Sequence, residues 1–313
     1  MAGYAFAPTA TALTTLVAAT VGTHLTIASA NTFNQLAEIP YDAQMARTRT
    51  RPLVRGAISP PHALGFAVAT GLAGIGTLYT LVNPLTAGLG AANLVLYSFI
   101  YTPLKRVHAV NTWVGAVVGA IPPMMGWTAC TNSLLNFPTD GGAWLLGFLL
   151  YAWQFPHFNA LAHNLRADYA KAGYRMIAST DPPMNARVAL RYALAMLPVP
   201  FLAAHWGLTT WAFVGTASVV NGAMAVCAVR FWRQRSDKHA RELFFSSLVH
   251  LPVMLAAMLI HRRPREDEEQ VGLVDRVAYA FGYLVGRHEH QILKVPAPIV
   301  SSTADKDKPQ SAA

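Results

Sequence analysis

The sequence predicts an all-α, polytopic membrane bundle of about eight helices around a central cavity, and three observations carry that prediction. Of 313 residues, 53% are hydrophobic and 12% charged, and the mean hydropathy is +0.32, too apolar for an ordinary water-soluble domain. Apolar runs close to the ~20 residues that a helix needs to cross hydrocarbon recur along the chain. Lys and Arg collect in alternate connections: Arg47–Arg55, Lys105–Arg106, Arg166–Arg187 and Arg230–Arg241 are basic, whereas Asn83–Leu85, Thr131–Gly142 and Gly207–Leu208 hold neither. Successive crossings produce this alternation, with the basic loops on the side that is not translocated.

Taken in order, the candidate spans run near Thr11–Ile39, His62–Val82, Thr86–Tyr101, Val110–Ala129, Ala143–His163, Ala186–Trp206, Thr210–Trp232 and Leu243–His261. Pro122–Pro123, Pro156 and Pro198–Pro200 interrupt them, which a bundle tolerates where neighbours satisfy the freed carbonyls. Gly65, Gly71, Gly74, Gly115 and Gly119 allow close helix approach. Trp113, Trp127, Trp206 and Trp211 fall near helix ends, where an interfacial belt would place them. The bundle is expected over residues 1–263. A polar tail follows over 264–313, with an acidic cluster (Glu266–Glu269), a modestly amphipathic piece (Leu273–Val285) and a disordered end from Ser302.

Composition also narrows the function. The net charge of +9 comes from short loops between apolar runs and not from a basic, aromatic-studded soluble surface, so no nucleic acid is expected. Cys130 and Cys227 have no metal-site or disulfide spacing. No basic leader or Arg- and Ser-rich transit segment precedes the first apolar run, so the expectation is that either no removable signal is used or the start of the chain is missing.

The chemistry concentrates where the first span ends. No Asp, Glu, Lys or Arg precedes Glu38; then Glu38, Asp42, Arg47, Arg49 and Arg51 follow in quick succession. Charges near hydrocarbon are expensive and usually face a cavity. Asn34, Glu38 and Asp42 offer oxygen ligands of the kind Mg2+ accepts when phosphate oxygens complete its shell, and arginine forks suit the phosphate. A plainer account also fits: orientation-setting arginines beside a local ion-pair cluster. Pro40 removes a backbone donor and is expected to kink or end the helix before Asp42. A second polar helix end follows, WQFPHFNALAHNLRADYAKAGYRM, in which Asp168 is either a capping carboxylate or a second acid facing the same ion. His157, among aromatics, fits an iron ligand, a proton acceptor or a buried hydrogen-bond partner.

The runs NQLAEIPYDAQMARTRTRPLVRG, YTPLKR, NTWVGAVVGAIPPMMGW, YAWQFPHFNAL and RADYAKAGYRM, in that order, closely resemble the haem-farnesylating branch of the UbiA-type intramembrane prenyltransferases, from Asn31 to about Arg263. The resemblance implies Mg2+-dependent transfer of a farnesyl group from farnesyl diphosphate to a vinyl group of haem B (protoheme IX), giving haem O for haem A formation. It implies Asn34, Glu38, Asp42 and Asp168 as metal ligands, Arg47, Arg51, Lys105, Arg106 and Lys171 as diphosphate contacts, and Glu38, Asp42, Asp168 and His157 as the catalytic set, with His157 toward the haem. Gln35 stands where the family motif often has Asp, leaving fewer carboxylates than two metals use. Family members carry nine helices, and AGYAFAP resembles the end of an additional front helix. The wording is similar to that of mitochondrial members, implying the mitochondrial inner membrane with the site loops on the matrix side, and haem A synthase or oxidase assembly factors as partners. Three alternatives stand against it: prenylation of an aromatic quinone precursor, an anion transporter with broken helices, and a non-catalytic assembly scaffold.

Overall fold

The computed structural model describes residues 2–9 and 11–264; the expectations for the tail beyond Arg265 lie outside the described residues. A short α1 (Ala2–Phe6) precedes α2 (Leu13–Asp42), α3 (Pro60–Leu81) and α4 (Pro84–Val95). The last runs on through a π-helical turn, Leu96–Tyr101, into α5 (Thr102–Val107). Then come α6 (Asn111–Thr131), α7 (Gly141–Asn164), the short α8 (Arg166–Lys171) and α9 (Ile177–Thr180), α10 (Pro182–Ala195), α11 (Val199–His205), α12 (Ala212–Gln234) and α13 (Asp237–Ile260). No strand occurs among the described residues. Each of the eight expected spans has a helical counterpart, and seven are long and apolar enough to cross a membrane. The remaining one, α7, has the length at 24 residues but carries Gln154, His157, Asn159, His163 and Asn164 in its second half. The chain is an integral membrane protein.

Two packed groups make up the bundle. In the first, α2 lies along α3, α3 against α4 and α4 against α6; in the second, α7 packs on α10 and α13, with α12 against both of the latter, and the α6–α7 contact joins the groups. Glycine sets how closely α2 and α3 approach. A Cβ on Gly74 would sit 2.8 Å from the Thr26 backbone nitrogen and 2.9 Å from the Gly22 carbonyl oxygen, so no larger residue fits unless the helices separate. The second group is held by a continuous apolar core that includes Leu146, Leu149, Phe213, Met224, Phe231 and Met254. Outward-facing Leu72, Val219, Phe245 and Ile260 are largely exposed, as lipid-facing side chains are.

The interruptions follow backbone chemistry. Pro200 has no N–H for the Met196 carbonyl, and α10 and α11 part there. Asn221 Nδ2 donates to that carbonyl at 2.9 Å, and His250 Nε2 pairs with Asn221 Oδ1 at 2.8 Å, so a buried polar chain satisfies what proline frees. Near α5, Pro103 likewise removes a donor, and both the backbone N–H and the hydroxyl of Thr102 donate to the Tyr97 carbonyl five residues back. That is the register of a π turn.

Two sequence expectations change. The helix continues through Pro40 to Asp42, so Asn34, Glu38 and Asp42 follow one another at four-residue steps on one buried face. Of the four belt tryptophans, Trp206 and Trp211 are exposed, but Trp127 is 2% exposed and donates to Asp140 Oδ1 at 3.0 Å. Trp113 is half-buried and donates to the Tyr192 hydroxyl. These two belong to the interior because each indole N–H has a partner there.

The loops sort by side as the charge alternation requires. The Arg175 backbone N–H donates to the Lys105 carbonyl at 2.8 Å, Asn111 Nδ2 to the Arg175 carbonyl at 3.0 Å, and Arg166 pairs with Asp237 at 2.7 Å. At the other end Asn83 Nδ2 donates to the Thr128 carbonyl and the Arg263 N–H to the Leu208 carbonyl. With both native cysteines replaced by alanine, single cysteines at Arg49, Arg175 and Lys238 should label with an impermeant maleimide from one side of sealed vesicles, and one at Leu135 from the other. Labelling of the first three from different sides would undo the topology.

Candidate functional site

The α2 face ends in a polar chamber of about 210 Å3, lined by Asn34, Glu38, Asp42, Met45, Arg47, Arg51, Tyr97, Tyr101, Lys105, Phe158, Leu161, Tyr169, Tyr174 and Met176. Five segments therefore converge: the end of α2, the loop after it, the π turn with α5, the second half of α7, and the connection around α8. Glu38 is 4% exposed and Asp42 1%. Ionised carboxylates this deep persist only when paired. Lys105 Nζ lies 2.8 Å from Glu38 Oε1, and Arg51 Nη1 lies 2.5 Å from Asp42 Oδ2 and 4.0 Å from Glu38 Oε2. Three cations (Arg47, Arg51, Lys105) stand against two carboxylates (Glu38, Asp42) in the lining, so the chamber has one positive charge to spare and favours an anion.

Its oxygens are not all used. Asp42 Oδ1 is buried without a hydrogen-bond partner. Asn34 commits Nδ2 to Thr102 Oγ1 at 2.9 Å, which fixes the amide and leaves its oxygen available. Among the described residues no group of three or more His, Cys, Asp or Glu forms a metal cage. Two carboxylates and an amide next to three cations nevertheless fit Mg2+, which takes one or two carboxylates and completes its shell from phosphate and water.

The tyrosines were not singled out from the sequence. Tyr97 and Tyr101 precede Lys105 at four-residue steps, the spacing that repeats Asn34–Glu38–Asp42, and this was the available signal. Tyr169 lies in α8 and Tyr174 in the connection after it. Burial first, and for Tyr174 the Glu38 and Asp42 charges next, push the ionisation of both upward. Both therefore stay protonated at neutral pH and remain donors.

A second, apolar chamber of about 310 Å3 adjoins the first, lined by Tyr97, Tyr101, Thr112, Gly115, Ala116, Val118, Gly119, Trp153, Gln154, Phe155, His157 and Phe158. Tyr97, Tyr101 and Phe158 line both. His157 stacks on Trp153 with centroids 4.6 Å apart, and its Nδ1 is 2.9 Å from Ser247 Oγ. That hydroxyl gives its own hydrogen to the Phe244 carbonyl at 2.6 Å, so it accepts from Nδ1–H and leaves Nε2 with a free lone pair.

Of the residues expected from the sequence, Asn34, Glu38, Asp42, Arg47, Arg51 and Lys105 meet in the polar chamber, and His157 lines the apolar one. Three do not line the polar chamber. Asp168 is half-buried and outside the lining, where its neighbour Tyr169 stands instead; successive helical residues point about 100° apart, so one of the two faces away. Arg106 is exposed, with its guanidinium 4.0 Å over the Tyr41 ring and hydrogen-bonded to the Tyr41 hydroxyl. Lys171 is exposed.

A helical membrane bundle that joins a cationic, carboxylate-bearing chamber to an apolar one defines a site for an amphiphile with an anionic head. Comparison with known proteins narrows this. The chain belongs to the UbiA prenyltransferase family, whose model matches residues 1–249. It is 48% identical over 292 residues to the mitochondrial protoheme IX farnesyltransferase of Yarrowia lipolytica, covering 86% of this chain and 61% of that protein. The Homo sapiens protein of the same name is 48% identical over 263 residues, covering 84% and 58%. The chain thus spans about three fifths of the length of these curated relatives. Among solved structures, a UbiA homolog from Aeropyrum pernix K1 superposes with a TM-score of 0.66 at 17% identity, covering 83% of this chain and 95% of that one. A homolog from Archaeoglobus fulgidus bound to GPP and Mg2+ gives 0.55 at 14%, covering 82% and 93%. These two share the fold.

The buried pair gives a stability test. Lys105→Met leaves Glu38 buried with only a distant arginine and should lower unfolding stability by about 3 kcal/mol, whereas Lys105→Met with Glu38→Gln should recover most of it. Thermal denaturation in detergent reads both; additive losses would show that the pair is not coupled.

Proposed function

We propose that this chain transfers the farnesyl group of farnesyl diphosphate to a vinyl group of haem B, yielding a hydroxyethylfarnesyl haem of the haem O type. The observation that carries it is the junction of the two chambers: a cationic pocket for a diphosphate shares its Tyr97–Tyr101–Phe158 wall with an apolar pocket for the chain. At about 310 Å3 the apolar chamber lies at the small end of ligand pockets, suited to a slender isoprenoid and not to a whole porphyrin. The names of the relatives supply the farnesyl and haem identities.

The residues divide the work. Arg47, Arg51 and Lys105 take the diphosphate oxygens, with Arg106 and Lys171 as outer cations that guide the anion in. Asn34, Glu38 and Asp42 would hold Mg2+, with Asp168, which stands outside the chamber lining, as the second acid of the set. When bound, Mg2+ supplies Lewis-acid charge to the departing diphosphate. As the C1–oxygen bond breaks and its electron pair leaves with the diphosphate, Arg51 and Lys105 stabilise the charge that develops there. Tyr97, Tyr101 and Phe158 line the junction at which the allylic cation would form, and the apolar chamber limits its quenching by water. The vinyl π pair makes the new carbon–carbon bond to C1, water adds to the cationic vinyl carbon, and the water proton passes to His157 Nε2 or solvent. His157, at the chain-binding chamber, meets the porphyrin edge. Bound in the mitochondrial inner membrane with its basic loops toward the matrix, the chain would hand its product to haem A synthase or to oxidase assembly factors.

Purified protein incubated with haem B, farnesyl diphosphate and Mg2+ should yield the farnesylated haem by mass spectrometry. Glu38→Ala should lower kcat/KM at least about 100-fold, and Asp168→Ala about tenfold or more. Product at wild-type rate in both variants would remove the acidic residues from the reaction. Labelled diphosphate crossing sealed vesicles without product would favour a transporter.

A further inference from the structure

We infer that Tyr174 is a ligand of the diphosphate, its hydroxyl donating a hydrogen bond to an anionic phosphate oxygen in the polar chamber. The inference rests on the diphosphate reading of that chamber and adds a residue to it. Tyr174 lines the chamber and is 4% exposed. Its hydroxyl is buried beside the Glu38 carboxylate, which acts on it by charge and as a hydrogen-bond acceptor at the edge of reach, and no partner meets full hydrogen-bond geometry. A buried hydroxyl without a partner is uncommon and calls for one.

The backbone holds this side chain in place before any ligand arrives. Gly173 adopts φ +76°, a left-handed turn that glycine makes without strain, and the Tyr174 N–H closes it on the Tyr169 carbonyl at 2.9 Å. The next residue's N–H donates to the carbonyl of Lys105 at 2.8 Å, and Asn111 holds the Arg175 carbonyl at 3.0 Å. Tyr174 is thereby tied to the same helix end that supplies Lys105. Its ring is braced edge-on by Tyr41 and Tyr169, with centroids 6.0 and 6.1 Å away. Burial and the adjacent carboxylates keep the hydroxyl protonated, so it can donate but not repel an anion. Lys105 and Arg51 already answer the two carboxylates; a neutral donor beside them adds affinity for phosphate without another desolvated charge.

The test is pyrophosphate binding at fixed free Mg2+, by calorimetry on the detergent-purified full chain, for wild type, Tyr174→Phe and, as control, Tyr79→Phe, an exposed α3 residue away from both chambers. Tyr174→Phe should weaken pyrophosphate about tenfold while its unliganded melting temperature stays at or above the wild-type value, because no existing hydrogen bond is lost. Tyr79→Phe should bind as wild type. Wild-type affinity in Tyr174→Phe would overturn the assignment alone, as would a lowered unliganded melting temperature, which would show the hydroxyl already engaged. Absence of pyrophosphate binding by the wild type would overturn the diphosphate reading and this inference together.

Discussion

Two carboxylates desolvated at the end of a membrane helix are the constraint that organises this protein. Burying Glu38 and Asp42 there without partners would be costly. Lys105 from α5 and Arg51 from the loop after α2 each answer one of them. This pairing fixes where the post-α2 loop lies and where the π turn delivers α5. On the function proposed above, a diphosphate would take over the two cations, and the oxygens they release are those a divalent ion accepts.

The remaining architecture supports that exchange. Glycine contacts bring α2 and α3 together so that the acidic face of α2 turns inward, and the second helix group brings Phe158, Leu161 and His157 to the opposite wall. Proline placement is equally consequential. Pro103 shifts the register through the π turn and aligns Tyr97 and Tyr101 with both chambers, while the break at Pro198–Pro200 is made harmless by Asn221 and His250. Among the described residues eleven buried side-chain polar atoms have no hydrogen-bond partner, and two of them, Asp42 Oδ1 and the Tyr174 hydroxyl, belong to residues that line the polar chamber.

Much of this was legible in the sequence. The helices behind the eight expected segments, seven of them long and apolar enough to span, followed from apolar run length, because that length is a consequence of the bilayer itself. The Asn34–Glu38–Asp42 spacing was legible for the same reason that helices are periodic, once the helix is known to persist through Pro40; proline in the last turn frees a carbonyl near the boundary, where the helix tolerates it. Asp168 was a different matter. Choosing between Asp168 and Tyr169 as the inward residue needs the rotation of a six-residue helix, and composition gives no purchase on that. Tyr174 was harder still, because its position depends on a glycine turn clamped to the Lys105 carbonyl from a distant part of the chain. Trp127 was misplaced in the interfacial belt because its partner, Asp140, lies in a loop whose fold no periodicity announces.

In the proposed reaction Arg51 and Lys105 change partners, leaving carboxylates for phosphate. An experimental structure of the chain with Mn2+ and a non-ionisable thiolo analogue of farnesyl diphosphate tests it most directly. The expected result is an anomalous manganese signal beside Glu38 and Asp42, with the guanidinium of Arg51 and the ammonium of Lys105 drawn onto diphosphate oxygens. A diphosphate seated elsewhere, or both cations still closed on their carboxylates with the analogue bound, would contradict it.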